Sequence, residues 1–134
     1  MSDISVIVRK MRTQAERNQT FLGIGFPEQL VLMHLKANGS MTQDALAAGI
    51  DIDKGAIAKT VTKLEEKGLV SREVNSQNKR QKLVSLLPAA NATLSAMGDS
   101  YLEFQSVMFE GLSDEQIDTM ITALSIVAQN VSKH

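Results

Sequence analysis

The sequence contains no cysteine, and this absence removes several kinds of chemistry at once. Disulfides, thiolate nucleophiles, cysteine-based peroxide sensing, and zinc or iron–sulfur sites held by cysteine are all excluded. Only two histidines are present, His34 and His134, which are too few for a metal site built from several imidazoles. We therefore expect neither a metal nor a cofactor.

Long apolar runs are also missing, since none approaches the ~20 residues that a membrane-spanning helix needs. The first residues include a short apolar patch, but they have no long apolar core and no cleavage site of small residues, so they do not resemble a secretory signal. The chain has no internal repeat and no low-complexity tract. Its 134 residues, 43% hydrophobic and 22% charged, predict one folded domain in the cytoplasm.

The net charge of −1 is small, but the charges are unevenly distributed. Residues 54–82 hold eight Lys and Arg against three Glu, a net charge of +5, so the rest of the chain sums to −6. A basic surface on an acidic body is typical of a nucleic-acid-binding protein. On charge alone, a solvated helix face rich in lysine explains the pattern equally well.

An amphipathic helix is predicted over residues 54–67, with Asp53 as its N-cap. Ile57, Val61 and Leu64 recur with helical spacing and are expected to face the core. On the opposite face, small residues allow close approach of DNA, the helix N-terminus attracts phosphate, and lysines add positive charge. The residues expected to contact DNA there are Gly55, Ala56, Lys59, Thr62 and Lys63.

A basic hairpin is predicted directly after this helix. Alternation of apolar and polar residues indicates strands at 69–74 and 82–87. The segment 75–81 between them has no apolar residue, so we expect a loop that projects into solvent. A helix followed by such a hairpin is the layout of a winged helix-turn-helix. We expect Arg80 to enter a DNA minor groove, the alternative being a solvated loop charge. Phosphate charge is expected from Arg72, Lys79 and Lys82.

Three helices are predicted ahead of this segment. Thr42 is expected to cap the third, which packs through Ala45 and Leu46. Asp51 lies at the following turn, where Asp tolerates left-handed geometry better than most residues. The three helices cover residues 4–20, 27–37 and 43–49.

Two further helices are predicted from Pro88 onward, the second starting with a capping box of Ser113 and Gln116. Their apolar stripes, with that of the first helix, exceed what one protomer can bury, so we expect a homodimer. The stripes consist of Leu94, Met97, Tyr101, Phe104 and Met108, and of Ile117, Met120, Ile121, Leu124, Val127 and Val131. The expected fold is mainly α with a small β-hairpin wing. A winged helix-turn-helix region at about 22–88 is flanked by dimerisation helices at about 1–20 and 89–134.

The run LGIGFPEQLVLMHLKANGSMTQDALAAGIDIDKGAIAKTVTKLEEKGLVSREVN, with the later KLVSLLPAA, resembles the MarR family of winged-helix regulators. The resemblance covers about Leu22 to Asn91 in order and spacing. It implies a homodimer joined through its terminal helices, a palindromic promoter site, and often release by a small aromatic or anionic ligand. The sequence departs from the family pattern at the wing, where Asn78 replaces an Asp two residues before Arg80. At the start of the recognition helix, Gly55 and Ala56 stand where the family often has small hydroxyl residues. Asp51 stands where the family has a glycine in the turn.

An effector pocket is expected where the first helix, the helix at 27–37 and the Pro88 helix meet. Its candidate residues are Met11, Arg12 and His34, although His34 suits a core position equally well. Two other functions compete with DNA regulation. A winged-helix protein-interaction module with little DNA affinity is compatible with Asn78 and the small net charge. An enzyme is disfavoured, because the chain lacks a glycine-rich phosphate loop and the adjacent Glu65 and Glu66 cannot converge on one substrate.

Overall fold

The computed structural model describes residues 2–134, which form six helices and three strands. Two compact units are present, the first ending at Ser100 and the second covering Tyr101–His134. Across residues 2–134, no helix combines the length and the apolar character that a membrane span requires. The helix predicted from Pro88 begins at Ala90 instead. The elements are α1 (Ser2–Leu22), α2 (Phe26–Asn38), β1 (Met41–Thr42), α3 (Gln43–Ile50), α4 (Lys54–Glu66), β2 (Val70–Asn75), β3 (Asn78–Leu86), α5 (Ala90–Met108) and α6 (Asp114–Ser132).

The N-caps of α3 and α4 confirm two predicted helix starts. The Thr42 hydroxyl accepts a hydrogen bond from the backbone N–H of Ala45 at 3.0 Å, and Asp53 Oδ1 accepts one from Ala56 at 2.9 Å. Each bond satisfies one of the backbone donors that a helix leaves free in its first turn. The caps fix where the two helices of the helix-turn-helix begin.

The turn between α3 and α4 depends on a left-handed residue. Asp51 has φ 61° and ψ 49°, and among residues 2–134 it is the only non-glycine residue with positive φ. The N–H of Ile52 then returns to the carbonyl of Ala47 at 3.1 Å, which closes the end of α3. The prediction of left-handed geometry at Asp51 is confirmed.

The inner face of α4 lies in the centre of the first unit's core. Ile57, Val61 and Leu64 have no exposed surface, which confirms the orientation predicted from helical spacing. In α3, Ala47 is buried and Ala45 is exposed, so the predicted packing through Ala45 is wrong. Each fully buried aliphatic side chain contributes about 1.5–3 kcal/mol. Further buried residues of this core are Val31, Leu32, Leu35, Leu46, Val70, Val84 and Leu94.

The three strands form an antiparallel sheet in the order β1-β3-β2. Pairing continues until Asn75 lies opposite Asn78, so the hairpin turn contains only residues 76–77. Residues 76–80 are exposed, as predicted, but β3 begins at Asn78, so the loop predicted over 75–81 is too long. The register shifts next to Asn75, and residues 79–81 form an enlarged bulge in β3. β1 was not predicted, because a strand of two residues is too short to show alternation of apolar and polar side chains.

Polar side chains close the place where α1, α2 and the start of α5 meet. Gln14 Nε2 donates to Ser100 Oγ at 2.6 Å, and Ser100 Oγ donates to Asn18 Oδ1 at 2.7 Å. Asn18 Nδ2 lies 3.5 Å from Gln29 Oε1, and Gln29 Nε2 donates to the carbonyl of Ile24 at 3.2 Å. Asn18 and Gln29 are buried, so this network ties α1, α2 and the start of α5 together through polar side chains.

In the second unit, α6 leaves its apolar residues exposed. The helix begins with the predicted capping box, in which the N–H of Gln116 donates to Ser113 Oγ and the N–H of Ser113 donates to Gln116 Oε1. Ile121, Leu124 and Val127 are each more than half exposed, and α6 contains no buried residue. In the first unit, α1 separately exposes Ile4, Ile7, Val8 and Met11.

Candidate nucleic-acid interface

The side of α4 that faces away from the core forms a shallow concave patch. Lys59 and Lys63 are exposed there, and Thr62 is partly exposed between them. Sequence reasoning had not selected Ala58, although it precedes Thr62 by four residues, which is the spacing of neighbours on one helix face. The patch is lined by Ala58, Lys59, Thr62, Lys63 and Glu66. We use the term outer face of α4 for Gly55, Ala56, Lys59, Thr62 and Lys63, all of which lie outside the core.

The N-terminal end of α4 already holds a carboxylate. Asp53 Oδ1 accepts the N–H of Ala56, and a Cβ added at Gly55 would lie 3.2 Å from the same oxygen. A phosphate at this helix end would meet the negative charge of Asp53, which offsets the attraction of the helix dipole. Positive charge on the outer face therefore comes from Lys59 and Lys63.

The wing tip is ordered by asparagine side chains. Asn78 Oδ1 accepts the backbone N–H of Arg80 at 3.1 Å, and Asn75 Oδ1 accepts that of Gln77 at 3.1 Å. Asn75 Nδ2 also donates to Gln81 Oε1 at 3.2 Å across the hairpin. An aspartate at position 78 would supply the same acceptor oxygen to the backbone of Arg80. Asn78 makes this contact without placing a negative charge beside the Arg80 guanidinium. Three exposed basic side chains project from this strand: Lys79, Arg80 and Lys82.

Arg72 differs from the other predicted contacts, because its guanidinium is held inside the first unit. Nη1 donates to Gln43 Oε1 at 3.0 Å and lies 3.5 Å from the carbonyl of Ala58. Nη2 donates to Thr62 Oγ1 at 2.9 Å and to Glu65 Oε1 at 3.1 Å. These contacts join β2 to α3 and α4, and they favour a structural role for Arg72 over the predicted contact with DNA phosphates.

The three residues predicted for an effector pocket lie in different surroundings. His34 Nδ1 lies 2.9 Å from the carbonyl of Leu30, and its ring is 3.5 Å from the position of a Cβ added at Gly49 in α3. Met11 and Arg12 are exposed on α1. No hydrogen bond or ion pair described for residues 2–134 joins His34 to either of them. The contacts of His34 fit its alternative interpretation as a structural residue between α2 and α3.

Acidic side chains near α4 do not form a reactive centre. Glu65 is paired with Arg72, whereas Glu66 lies on the rim of the concave patch. Within the described part of the chain, no three His, Asp or Glu side chains are grouped as metal ligands would be. The chemistry offered by this region is positive charge, backbone proximity and hydrogen bonding.

Comparison with known proteins relates this region to one family. The sequence profile of the MarR family matches residues 27–82, which run from the first turn of α2 into β3. The matched segment contains the helix-turn-helix, the outer face of α4 and the basic residues of the wing.

Solved structures extend the similarity over nearly the whole chain. A MarR transcriptional regulator from Methanosarcina mazei Go1 is 25% identical, with a TM-score of 0.86 over 98% of this chain and 95% of that one. A probable transcriptional regulator from Pseudomonas aeruginosa is also 25% identical, with a TM-score of 0.74 over 92% and 96%. The transcriptional regulator SlyA shares the fold at 22% identity, with a TM-score of 0.86 over 98% and 93%. These similarities confirm the winged-helix fold.

Proposed function

We propose that the chain is a homodimeric transcriptional regulator of the MarR family that binds a palindromic promoter site in the cytoplasm, since the sequence profile of that family matches residues 27–82. One observation carries this proposal. The inner face of α4 is fully buried, its outer face exposes Lys59 and Lys63, and the hairpin that follows exposes Arg80. A helix of this kind fits a major groove, and an arginine on a wing fits the adjacent minor groove.

The proposed contacts divide into base readout and phosphate neutralisation. The outer face of α4 meets base edges, Arg80 enters the minor groove, and Lys79 and Lys82 meet phosphates. These two phosphate contacts per protomer make about four per dimer, which predicts a slope near −4 when log K is plotted against log salt concentration. Fluorescence anisotropy with a duplex selected from a random pool measures this slope. A slope near zero on every duplex would refute the proposal.

The proposed dimer is supported by the apolar residues that α1 and α6 each expose. Leu124→Glu places a charge in the exposed stripe of α6, and we expect it to shift the protein to monomers in sedimentation experiments. Ser125→Glu adds the same charge at a neighbouring exposed polar position and should leave the dimer intact. Equal dissociation of both variants, or of neither, would count against this interface.

We also propose that a small aromatic or anionic effector releases the protein from DNA. Arg9, Arg12 and Arg17 are exposed on α1 together with Met11, a combination that suits an apolar anion. A thermal-shift panel of aromatic carboxylates tests this part, with Arg12→Gln as the comparison protein. If no compound raises the melting temperature of wild type, the effector proposal fails while DNA binding stands.

A protein-interaction module without DNA affinity is the competing function, favoured by Asn78 at the wing and by the small net charge. Arg80→Ala and Lys59→Ala separate the two functions. Under the DNA-binding proposal, both variants retard the selected duplex more weakly than wild type, by about tenfold for Arg80→Ala, and still sediment as wild type. If the wild-type dimer retards no duplex, the interaction module becomes the better explanation.

A further inference from the structure

Arg72 lies directly beneath the outer face of α4. Its side chain is only 22% exposed and bridges Gln43 in α3 to Ala58, Thr62 and Glu65 in α4. Two of these partners, Ala58 and Thr62, also line the concave patch, and Thr62 is the one that Arg72 contacts through its side chain. The network therefore acts on a side chain that faces outward.

Simple chemistry fixes the direction of both hydrogen bonds at Thr62. The carbonyl of Ala58, 2.9 Å from Thr62 Oγ1, can only accept a hydrogen bond, so the Thr62 hydroxyl must donate its only proton to this carbonyl. The guanidinium of Arg72, 2.9 Å away, can only donate, so it occupies one lone pair of the hydroxyl oxygen. One lone pair remains. Toward solvent, Thr62 is therefore an acceptor that cannot donate.

We propose that Arg72 is a positioning residue that fixes Thr62 as a hydrogen-bond acceptor, so that each half-site prefers adenine or cytosine where Thr62 meets the major groove. Adenine and cytosine present amino donors at that edge, whereas guanine N7 and O6 and thymine O4 only accept. A phosphate also only accepts, so Thr62 has no role in backbone binding. The inference rests on the proposed DNA-binding function and specifies which chemical group of the base is recognised.

The positive charge of Arg72 is balanced by a carboxylate of the same protomer. Its Nη2 lies 3.1 Å from Glu65 Oε1, and this pair compensates the positive charge inside the first unit. Arg72 should then contribute nothing to the release of counterions from DNA. This expectation separates a positioning role from a phosphate contact, because each phosphate contact changes the salt slope by about 0.9.

The test is a selection of bound duplexes from a pool with a randomised central segment, carried out with matched variants. Wild type should prefer adenine or cytosine about three- to tenfold at one position in each half-site, the range of a single net hydrogen bond. Thr62→Val keeps the shape and one methyl but removes the acceptor, and it should lose this preference. Thr62→Ser should retain it. Thr20→Val removes a similar helix hydroxyl in α1 and should select the wild-type motif.

Arg72→Lys keeps the charge but cannot reproduce the forked contacts of a guanidinium. It should relax the preference at the same position as Thr62→Val, leave the salt slope unchanged, and add nothing when the two substitutions are combined. Thermal melting shows whether Arg72→Lys still folds. If it does not, the comparison of Thr62→Val with Thr62→Ser tests the proposal.

The possible failures can be told apart. If wild type enriches no duplex, the DNA-binding proposal fails and this inference fails with it. If wild type enriches a motif that Thr62→Val selects with unchanged preferences, only this inference is overturned. It is also overturned if Arg72→Lys keeps every base preference and lowers the salt slope, which would identify Arg72 as a phosphate contact.

Discussion

Lys67 Nζ lies 2.5 Å from Glu28 Oε2 and joins the end of α4 to the first turn of α2. The Glu28 side chain is 8% exposed, and its second oxygen accepts the N–H of Gly25 at 3.2 Å. Lys67 also donates to the carbonyl of Gly23 at 2.7 Å. One ion pair therefore secures the C-terminal end of the candidate DNA-reading helix to the α1–α2 connection.

Glu28→Ala should destabilise the fold, because it leaves the Lys67 ammonium and the Gly25 N–H without their partner. We expect a loss of about 2–3 kcal/mol, less than for a fully buried pair since Lys67 is partly exposed. This corresponds to a fall in melting temperature of roughly 6–12 °C for a domain of this size. Glu66→Ala, at an exposed position of α4, is the control and should change stability by about 0.5 kcal/mol at most. Equal melting of both variants would show that the ion pair is not stabilising.

At the wing, Arg80→Ala should weaken binding to the selected duplex by about tenfold, the effect of losing one groove contact. Asn78→Ala removes the acceptor of the Arg80 N–H and should weaken binding less, by about threefold. Asn78→Asp keeps that acceptor and should bind at least as well as Asn78→Ala. Anisotropy titrations at one salt concentration compare the three variants. Binding by Asn78→Ala at wild-type affinity would mean that the asparagine does not order the wing.

Asp51→Gly should raise the free energy of unfolding by about 0.5–1 kcal/mol, because glycine adopts the left-handed backbone of this turn without strain. Asp51→Val should lower it by about 1–2 kcal/mol, since a β-branched residue fits that backbone poorly. Ala48→Gly is the matched control in the right-handed part of α3, where the same new residue should cost about 1 kcal/mol. Urea titrations measure all three. A lower stability of Asp51→Gly would contradict the explanation that the left-handed backbone at this position is strained in wild type.

Tyr101 is the only tyrosine of the chain, and no tryptophan is present, so its ionisation can be followed optically without interference. Burial raises the pKa of the Tyr101 phenol above its ordinary value of 10.0, because the ionised form loses contact with water. A titration of phenolate absorbance should have a higher midpoint for the folded protein than for the protein in denaturant. Coincident midpoints would contradict the burial of this phenol.

The sign of the linked stability change follows from that shift. The folded state holds the Tyr101 proton more tightly than the unfolded state does. The corresponding stability is complete below pH 10.0 and is lost as the pH rises through the higher pKa of the folded state. Tyr101→Phe cannot ionise, so its melting temperature should fall less over this alkaline range than that of wild type.

Helical periodicity and capping chemistry were sufficient to predict much of the helical structure from the sequence. Ile57, Val61 and Leu64 could be assigned to the core because a helix repeats every 3.6 residues and only one face can be buried. Thr42 and Asp53 could be assigned as caps because their short polar side chains reach the free amides of the first turn. These signals are local, and a single sequence contains them.

The errors concern interactions between different helices and strands. Residues 78–81 appeared to be loop because they are polar, yet they belong to β3, in which Asn78 pairs with Asn75 and residues 79–81 form a bulge. Arg72 appeared to be a free charge because sequence alone does not indicate that Gln43, Thr62 and Glu65 surround it. In both cases the partner lies on another element, and its distance depends on how those elements pack.

By itself, the sequence determined which helices form, which face of α4 is buried and where the basic residues of the wing lie in the chain. Each of these depends on side-chain spacing along one element and on charge. Only the tertiary structure decided which of the polar residues remain available to a partner. Lys59, Lys63 and Arg80 extend into solvent, whereas Arg72 is held by four acceptors, a difference set by packing β2 against α3 and α4.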